Sequence, residues 1–451
     1  MTGASIEATL ELWASSLRDV KARMRSLFTQ ERVAVSAELF LDGLLGDERR
    51  KTGWMRAEAA GDPGPWRQQA ILGRGRWDAD ALRDIVRGYA LEALADADAV
   101  LVIDETGFLK PGKASCGVAR QHTGSAGKIT NCQIGVFASY VSRHGHAFID
   151  RALYLPKAWT DDRDRMARAH VPDNVGFATK PALALAMIER AIASNVPFSW
   201  VAADSVYGVG DIEMALKRAA KGYVLGVNAN HPFRSWGKSM ALAGTAKAIA
   251  EALPEDAWRR LSAGDGTKGA RLHDWAYLEL ADLDAGDFDA TFPGIWTRGL
   301  LIRRNIADGD LAFLLDLVSD RHIHRNTGDG GRASLGDRRQ LRDRQERTRS
   351  RPQRDPLLAW LASPCLAGHA RVRHDGRHSP SRQRHAAPKN DAALKAQDRH
   401  LIRWSIQEIR RIATRLARAR IEPSYITAWS LWRRAHQAAA RRAYLKSRSQ
   451  L

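Results

Sequence analysis

"AVLVIDETG", Ala99–Gly107, is a continuous apolar run that ends in carboxylates. A run of this kind, too short for a long helix and rich in β-branched residues, reads as a strand buried on both faces. "FSWVAADSVYG", Phe198–Gly208, has the same form and ends in Asp204. Between them "CQIGVFASYVSRHGHAFIDRALYL", Cys132–Leu155, reads as two strands about a turn at Arg143–Gly145. "KPALALAMIERAIASN", Lys180–Asn195, reads as a helix with Pro181 at its first position and Leu185, Ile188 and Ile192 facing inward. "GYVLGVNAN", Gly222–Asn230, is a further strand. Strand, hairpin, helix and strand in that order predict an α/β fold with a mixed sheet.

Outward from this core the pattern changes. "ELWASSLRDVKARMRSLF", Glu11–Phe28, sets Leu12, Trp13, Leu17, Val20, Met24, Leu27 and Phe28 on one helical face. "GDPGPW" interrupts at 61–66, and "WDADALRDIVRGYALEAL", Trp77–Leu94, resumes the helical period behind a capping aspartate. Arg49, Arg50, Lys51, Arg74 and Arg76 there suit DNA contact or a solvated face equally. The expected organisation is an N-terminal helical region over 1–95, a core over 96–232, a smaller β-rich insertion over 233–313 with strands in "WAYLEL" and "GIWTRGLLIRRN", and a helical tail over 391–451.

Composition narrows the partners. The 451 residues carry a formal charge of +19, which favours a polyanion, because lysine and arginine displace counterions condensed on a phosphate backbone. Cys116, Cys132 and Cys365 form no close pair, so neither a disulfide framework nor a zinc site is expected. Neither a signal-peptide pattern nor a membrane-length apolar run is present, and a cytoplasmic protein is expected.

Asp104 and Asp204 carry the chemistry. Each ends an apolar strand, where open α/β sheets place their ligand crevices. If the two strands are neighbours, the carboxylates meet at one edge and repel unless a cation such as Mg²⁺ lies between them. Such ions can drive in-line displacement at a phosphodiester. Spacing alone, however, favours the plainer reading that each aspartate caps the turn after it. Glu105 reads as a local hydrogen-bonding residue. "GSAGKIT", Gly124–Thr130, lacks the P-loop spacing. A dehalogenase-type phosphatase would need a second aspartate where Thr106 stands.

The string "VLVIDETGFLKPGKASCGVARQHTGSAGKITNCQIGVFASYV", then "LPKAWTDD", then "FSWVAADSVYG", resembles the catalytic half of bacterial insertion-sequence transposases of the DDE class. These are ribonuclease-H-like nucleotidyltransferases, also described as DDE superfamily endonucleases. The resemblance runs from about Trp54 to Phe313 and returns near Leu401. It implies a ribonuclease-H-like core, with Asp104 and Asp204 as the first two metal-binding carboxylates and Mg²⁺ or Mn²⁺ as cofactor. It implies double-stranded DNA as partner, both insertion-sequence ends and target, with a homodimer as one assembly open to it. It also places the loop around His122 and Lys128 near the first aspartate, which makes these two residues candidate DNA contacts. A β-rich insertion and then a helix bearing a catalytic glutamate should follow the second aspartate.

That glutamate is missing. From 314 to 390 the chain holds 16 arginines and eight acidic residues, of which only Glu346 is a glutamate, and its apolar residues gather in "PLLAWLASPCLAGHA". "GDRRQLRDRQERTRSRPQRD", Gly336–Asp355, has neither helical nor strand period. Shifted by one base, with permitted synonymous codons, Ser334–Pro364 re-reads as a helix with an arginine, a glutamate one turn on and a lysine two turns further. The third carboxylate would then straddle the codons of Arg338 and Arg339. The expectation is out-of-frame, irregular text over 314–390, followed by a tail that packs poorly for want of its partner. Three functions follow: a transposase by descent that has lost its glutamate, a non-catalytic DNA-binding remnant, and a metal-dependent phosphohydrolase.

Overall fold

The computed structural model describes residues 6–46, 48, 50–235, 242–266, 269–280, 296–319 and 423–448. The chain divides into two compact units, Met1–Val86 with Arg354–Leu451, and Arg87–Gln353.

The first unit is helical. Helices α1 (Ile6–Met24), α2 (Glu31–Leu45), α3 (Gly53–Ala60) and α4 (Trp66–Gly73) lead to α5 (Ala79–Leu94). Asp78 caps α5, its Oδ1 accepting from the Asp80 and Ala81 amides at 2.8 and 3.0 Å. The "GDPGPW" break is a turn in which Gly61 takes the left-handed conformation, φ 71°. Ala37, Phe40, Leu44 and Ile71 form the core between α2 and α4.

The C-terminal helix (Pro423–Arg448) matches the helical expectation, but its first half does not pack poorly. Trp429 is 5% exposed, and its Nε1 donates to the Asp62 carbonyl at 3.1 Å, to which Tyr425 also donates. Arg433 pairs with Glu58 at 2.7 Å. Trp54 and Trp66 surround Trp432 at centroid distances of 5.3 and 5.7 Å. Among the described residues, the docking surface is the N-terminal segment 53–66. From Arg434 to Lys446 the helix is exposed.

The second unit is built on one mixed sheet. Strands β1 (Val100–Leu109), β2 (Ala119–Thr123), β3 (Lys128–Ser142) and β4 (Gly145–Tyr154) are followed by β5 (Trp200–Ala203) and β6 (Gly222–Val227). β3 pairs antiparallel with β1 and with β4, while β5 is parallel to both β1 and β6. The order β4–β3–β1–β5–β6, three antiparallel strands followed by two parallel ones, is the ribonuclease-H-like arrangement. Helices α6 (Lys157–Thr160), α7 (Arg163–Arg168), α8 (Lys180–Ala193) and α9 (Gly210–Arg218) occupy the connections. Thr179 caps α8, so Pro181 sits at its second position, and Ala184, Met187, Ile188 and Ala191 are the buried residues. Leu185 and Ile192 are only half-buried.

The insertion is not a separate module. A two-stranded ribbon, β7 (Pro232–Ser235) with β8 (Leu242–Thr245), and α10 (Ala246–Glu251) lead into β9 (Arg259–Gly266), β10 (Gly269–Leu280), β11 (Trp296–Asn305) and β12 (Leu311–Ser319). β12 pairs antiparallel with β6, so these strands continue the core sheet in the order β12–β11–β10–β9. Val100, Val102, Trp200, Ala202 and Val224 pack with Trp275, Leu301, Leu314 and Val318 into one core. Residues 314–319, expected to be irregular, are therefore ordered strand. Leu314, Leu315, Leu317 and Val318 are buried against β6 and β11, and so outweigh the polar composition that follows. The rest of the arginine-rich stretch, with Arg338, Arg339 and Glu346, lies outside the described residues.

The foot of β1 is held by Asp96. Arg143, on the β3–β4 turn, binds it bidentately at 2.8 and 2.9 Å. Tyr140 accepts from the Asp96 amide at 2.9 Å and donates to the Pro197 carbonyl at 2.6 Å. The guanidinium holds the Asp96 carboxyl well below the usual carboxylate range. Its contribution is therefore present above that range and lost as the pH falls through it. Arg143→Ala should lower the melting temperature at neutral pH, and the gap to the wild type should narrow as the pH is taken below about 4. Calorimetry from pH 7 to 3 reads both; a gap independent of pH would exclude the pair as its source.

Candidate active site

The site begins with strand register. In the parallel β1–β5 pair, Ile103 lies opposite Ala203, so the next residues, Asp104 and Asp204, stand side by side. By alternation both belong to the sheet face of Val102 and Ala202. The two aspartates expected to meet are thus brought together. Asp104 is not at a strand end, however. β1 runs on to Leu109 because β3 pairs it without a break from Val141 to Cys132. Only the parallel partner stops, and its stopping opens the crevice.

Both aspartates also satisfy their own backbone. The Glu105 amide donates to Asp104 Oδ1 at 2.9 Å, and the Val206 amide to Asp204 Oδ1 at 3.0 Å. The turn-capping reading and the ligand reading therefore hold together, since each carboxylate keeps lone pairs beyond the one its turn occupies. Asp104, Glu105 and Asp204, all half-buried, each offer an oxygen within 4.8 Å of the others.

Glu105 is hydrogen-bonded on both oxygens, but to partners far along the chain rather than locally as its sequence reading expected. Oε1 accepts from Lys180 Nζ at 2.8 Å, and Oε2 accepts from the Tyr207 hydroxyl. Tyr207 is fully buried. Burial first, then Glu105, Asp204 and Asp104, push its phenol far above the usual value, so it stays a donor across the working pH range. One carboxylate thus ties β1 to the turn after β5 and to the first residue of α8. Neither Lys180 nor Tyr207 was singled out from sequence. The only signal for Tyr207 was its place in "DSVYG", and nothing marked Lys180 apart from its position before Pro181.

Two glycines let the Asp204 turn sit this close. A Cβ on Gly226 would fall 2.6 Å from the Ser205 nitrogen and 2.8 Å from the Asp204 carbonyl carbon. One on Gly208 would fall 2.1 Å from the Gly226 oxygen. The backbone of β6 thus serves as the floor on which the Asp204 turn rests.

His122 and Lys128 lie on β2 and β3, both exposed, flanking the Gly124–Gly127 turn of a hairpin. The hairpin tip folds onto β1: Ser125 Oγ donates to the Gly107 carbonyl at 2.9 Å and meets Thr123 Oγ1 at 2.8 Å. Gly107 permits this, since a Cβ there would fall 2.0 Å from Thr123 Oγ1. The tip is therefore three residues, about 10 Å of strand, beyond Asp104.

With this geometry in place, comparison with known proteins gives a family. Residues 23–270 match the family described as DDE superfamily endonuclease, which is more than half of the chain, and the chain belongs to that family. It is also 27% identical over 210 residues to a protein of Microchaete diplosiphon described as a probable transposase for insertion sequence element IS701. That match covers 46% of this chain and 52% of the relative, so the chain spans about half the length of the curated relative it matches. Among the described residues, no helix is long and apolar enough to cross a membrane.

Two substitutions test the geometry. Tyr207→Phe leaves one oxygen of a half-buried carboxylate without its donor and should destabilise the protein by about 1–3 kcal/mol. Gly226→Ala should cost a similar amount, about 1–3 kcal/mol, by overpacking the Asp204 turn. Denaturant melts of both variants measure these costs; wild-type midpoints would refute the contacts.

Proposed function

We propose that this chain is, by descent, an insertion-sequence transposase. Its chemistry is metal-dependent hydrolysis of a phosphodiester at a DNA end, followed by attack of the freed 3′-hydroxyl on target DNA. The observation that carries the reading is the register that sets Asp104 beside Asp204 on one sheet face. Membership of the endonuclease family and the name of the relative support it. Double-stranded DNA is the partner, two copies acting on two ends is the assembly such a reaction would use, and the cytoplasm is where it would meet that DNA.

The donor set fits a divalent ion. Carboxylate oxygens are the hard donors that Mg²⁺ and Mn²⁺ take, and oxygens sharing one Mg²⁺ lie at most about 4.2 Å apart. A set already within 4.8 Å closes on an ion by side-chain rotation alone. Asp104 and Asp204 would hold it. When bound, such ions supply activation of the attacking oxygen and neutralisation of charge at the phosphate. Glu105, committed to Lys180 and Tyr207, fixes the separation of the two strand ends. The glycine floor under Asp204 keeps its turn from moving away from Asp104.

The same reading makes the chain catalytically impaired. Two aspartates suffice to hold one ion, but the family's third carboxylate has no counterpart in the arginine-rich text, and Arg338 and Arg339 stand where its codon would be. What supports this is the composition of the stretch and its coherent shifted frame. The shifted text is read from about Leu314 to about Asn390, and Ser319 is the last described strand residue before it becomes arginine-rich.

The test is a nicking assay in Mg²⁺ and in Mn²⁺ on duplexes carrying the element's ends. It compares the chain as written with a chain whose frame is restored over the shifted stretch. The restored chain should nick, and should lose about a thousand-fold of its rate, several kcal/mol of barrier, in Asp104→Ala. The chain as written should bind the ends without cutting. Nicking by the chain as written that vanishes in Asp104→Ala and Asp204→Ala would overturn the impairment.

A further inference from the structure

The C-terminal helix has two unlike halves. The first docks on segment 53–66 through Tyr425, Trp429, Trp432 and Arg433. The second, Arg434–Lys446, is exposed at every residue, and at 1.5 Å per residue it is about 20 Å long. From Pro423 to Leu451 the sequence holds no aspartate or glutamate. A helix that is polar all round is ordinarily held by ion pairs one turn apart. That support is missing here. Arg434, Arg441 and Arg442 make no ion pair among the described residues, and Arg442 and Lys446 are like charges one turn apart.

Helical periodicity sorts the exposed side chains. Successive residues turn by about 100°, so the docked face of Trp429, Trp432 and Arg433 continues as His436, Ala440 and Ala443. His436 still reaches the Trp54 ring, at a centroid distance of 5.0 Å. On the opposite side stand two rows of cations. Arg434 and Arg441 form one, and Arg442 and Lys446 form the other. Between the rows run Ala438 and Leu445, of which Leu445 is 54% exposed. This strip is too narrow for a membrane surface, which takes a broad apolar face. The flanking arginines would repel the same helix of a second copy. A duplex-DNA major groove matches the pattern: it is about 12 Å wide, admits a helix, and offers thymine methyl groups to small apolar side chains.

We propose that the second half of the C-terminal helix is a major-groove arm for duplex DNA. The two cationic rows meet phosphates of the two strands, and Ala438 and Leu445 face the groove floor. The choice of DNA as the polyanion rests on the transposase reading given above. The arm belongs to the first compact unit and the carboxylates to the second. The docked half is its mounting. A helix that continues from an anchored half is already nucleated, so the arm does not carry the cost of forming its own first turn.

The test is anisotropy titration of the full-length chain, in EDTA and across a range of salt concentrations, against a DNA duplex and an RNA duplex of equal length. The RNA duplex discriminates, because its deep, narrow major groove cannot be read by side chains. Four variants are compared with the wild type: R434A/R441A/R442A; A438E; a charge-matched control R163A/R168A/R218A; and D104N/D204N. Alanine is the best helix former, so circular dichroism of the triple arm variant should match the wild type. Its DNA binding at 0.1 M salt should weaken at least about tenfold, and its slope of log K on log salt should shallow by about 0.9 per cation removed. A438E, which sets a negative charge on the strip, should weaken DNA binding as well. Binding of the RNA duplex should stay near the wild type in both arm variants. The control and D104N/D204N should stay near the wild type on both duplexes. Because no metal is present, failure of the carboxylate reading leaves this outcome untouched. Arm variants that bind DNA like the control, or that lose the RNA duplex as much as the DNA duplex, would overturn the proposal.

Discussion

The parallel pairing of β1 with β5 is the constraint on which the rest of the molecule depends. It spans only four residues on each strand, Val100–Ile103 against Trp200–Ala203. Both strands are buried on both faces, so their register cannot slip without driving Trp200 or Leu101 out of its layer. Once it is set, the next residue on each strand is an aspartate. The geometry of the carboxylate pair is therefore inherited from core packing rather than built by a loop, and one parallel step decides whether the two aspartates stand side by side.

Three further devices serve that pairing. Asp96 and Arg143 anchor β1 at its foot, the Glu105 bridge holds its midpoint to α8 and to the Asp204 turn, and Ser125 fastens its far end to the hairpin. Backbone contact at Gly226 supports β5 from the other side. Removing one brace leaves the others in place, so single substitutions should loosen the site before they unfold the sheet.

Much of this was legible because the signals were local. Apolar runs ending in carboxylates identified β1 and β5, the arginine–glycine turn identified the β3–β4 hairpin, and helical periods identified α1, α5 and α8. The continuation of β1 past Asp104 was not legible, since "DETGFL" carries turn residues and becomes strand only because β3 is there to pair with it. The same holds for β12. "LLDLVS" is an ordinary strand sequence, but it fell in the stretch expected to be irregular because the family resemblance breaks off near Phe313. The role of Tyr207 depends on Glu105, a hundred residues away, and no spacing rule reaches that far. The docking of the C-terminal helix was misjudged for a related reason: its aromatic partners, Trp54 and Trp66, stand at the other end of the chain.

The insertion strands have a consequence for biosynthesis. Since β12 pairs with β6, the strand that covers the β6 edge ends at Ser319 and leaves the ribosome ahead of the arginine-rich stretch. The sheet's exposed β6 edge, the feature by which an unfinished α/β protein would aggregate or be recognised for degradation, is already covered by then. A change in sequence downstream of Ser319 therefore leaves every described strand of the sheet, and the pairing that closes the β6 edge, intact.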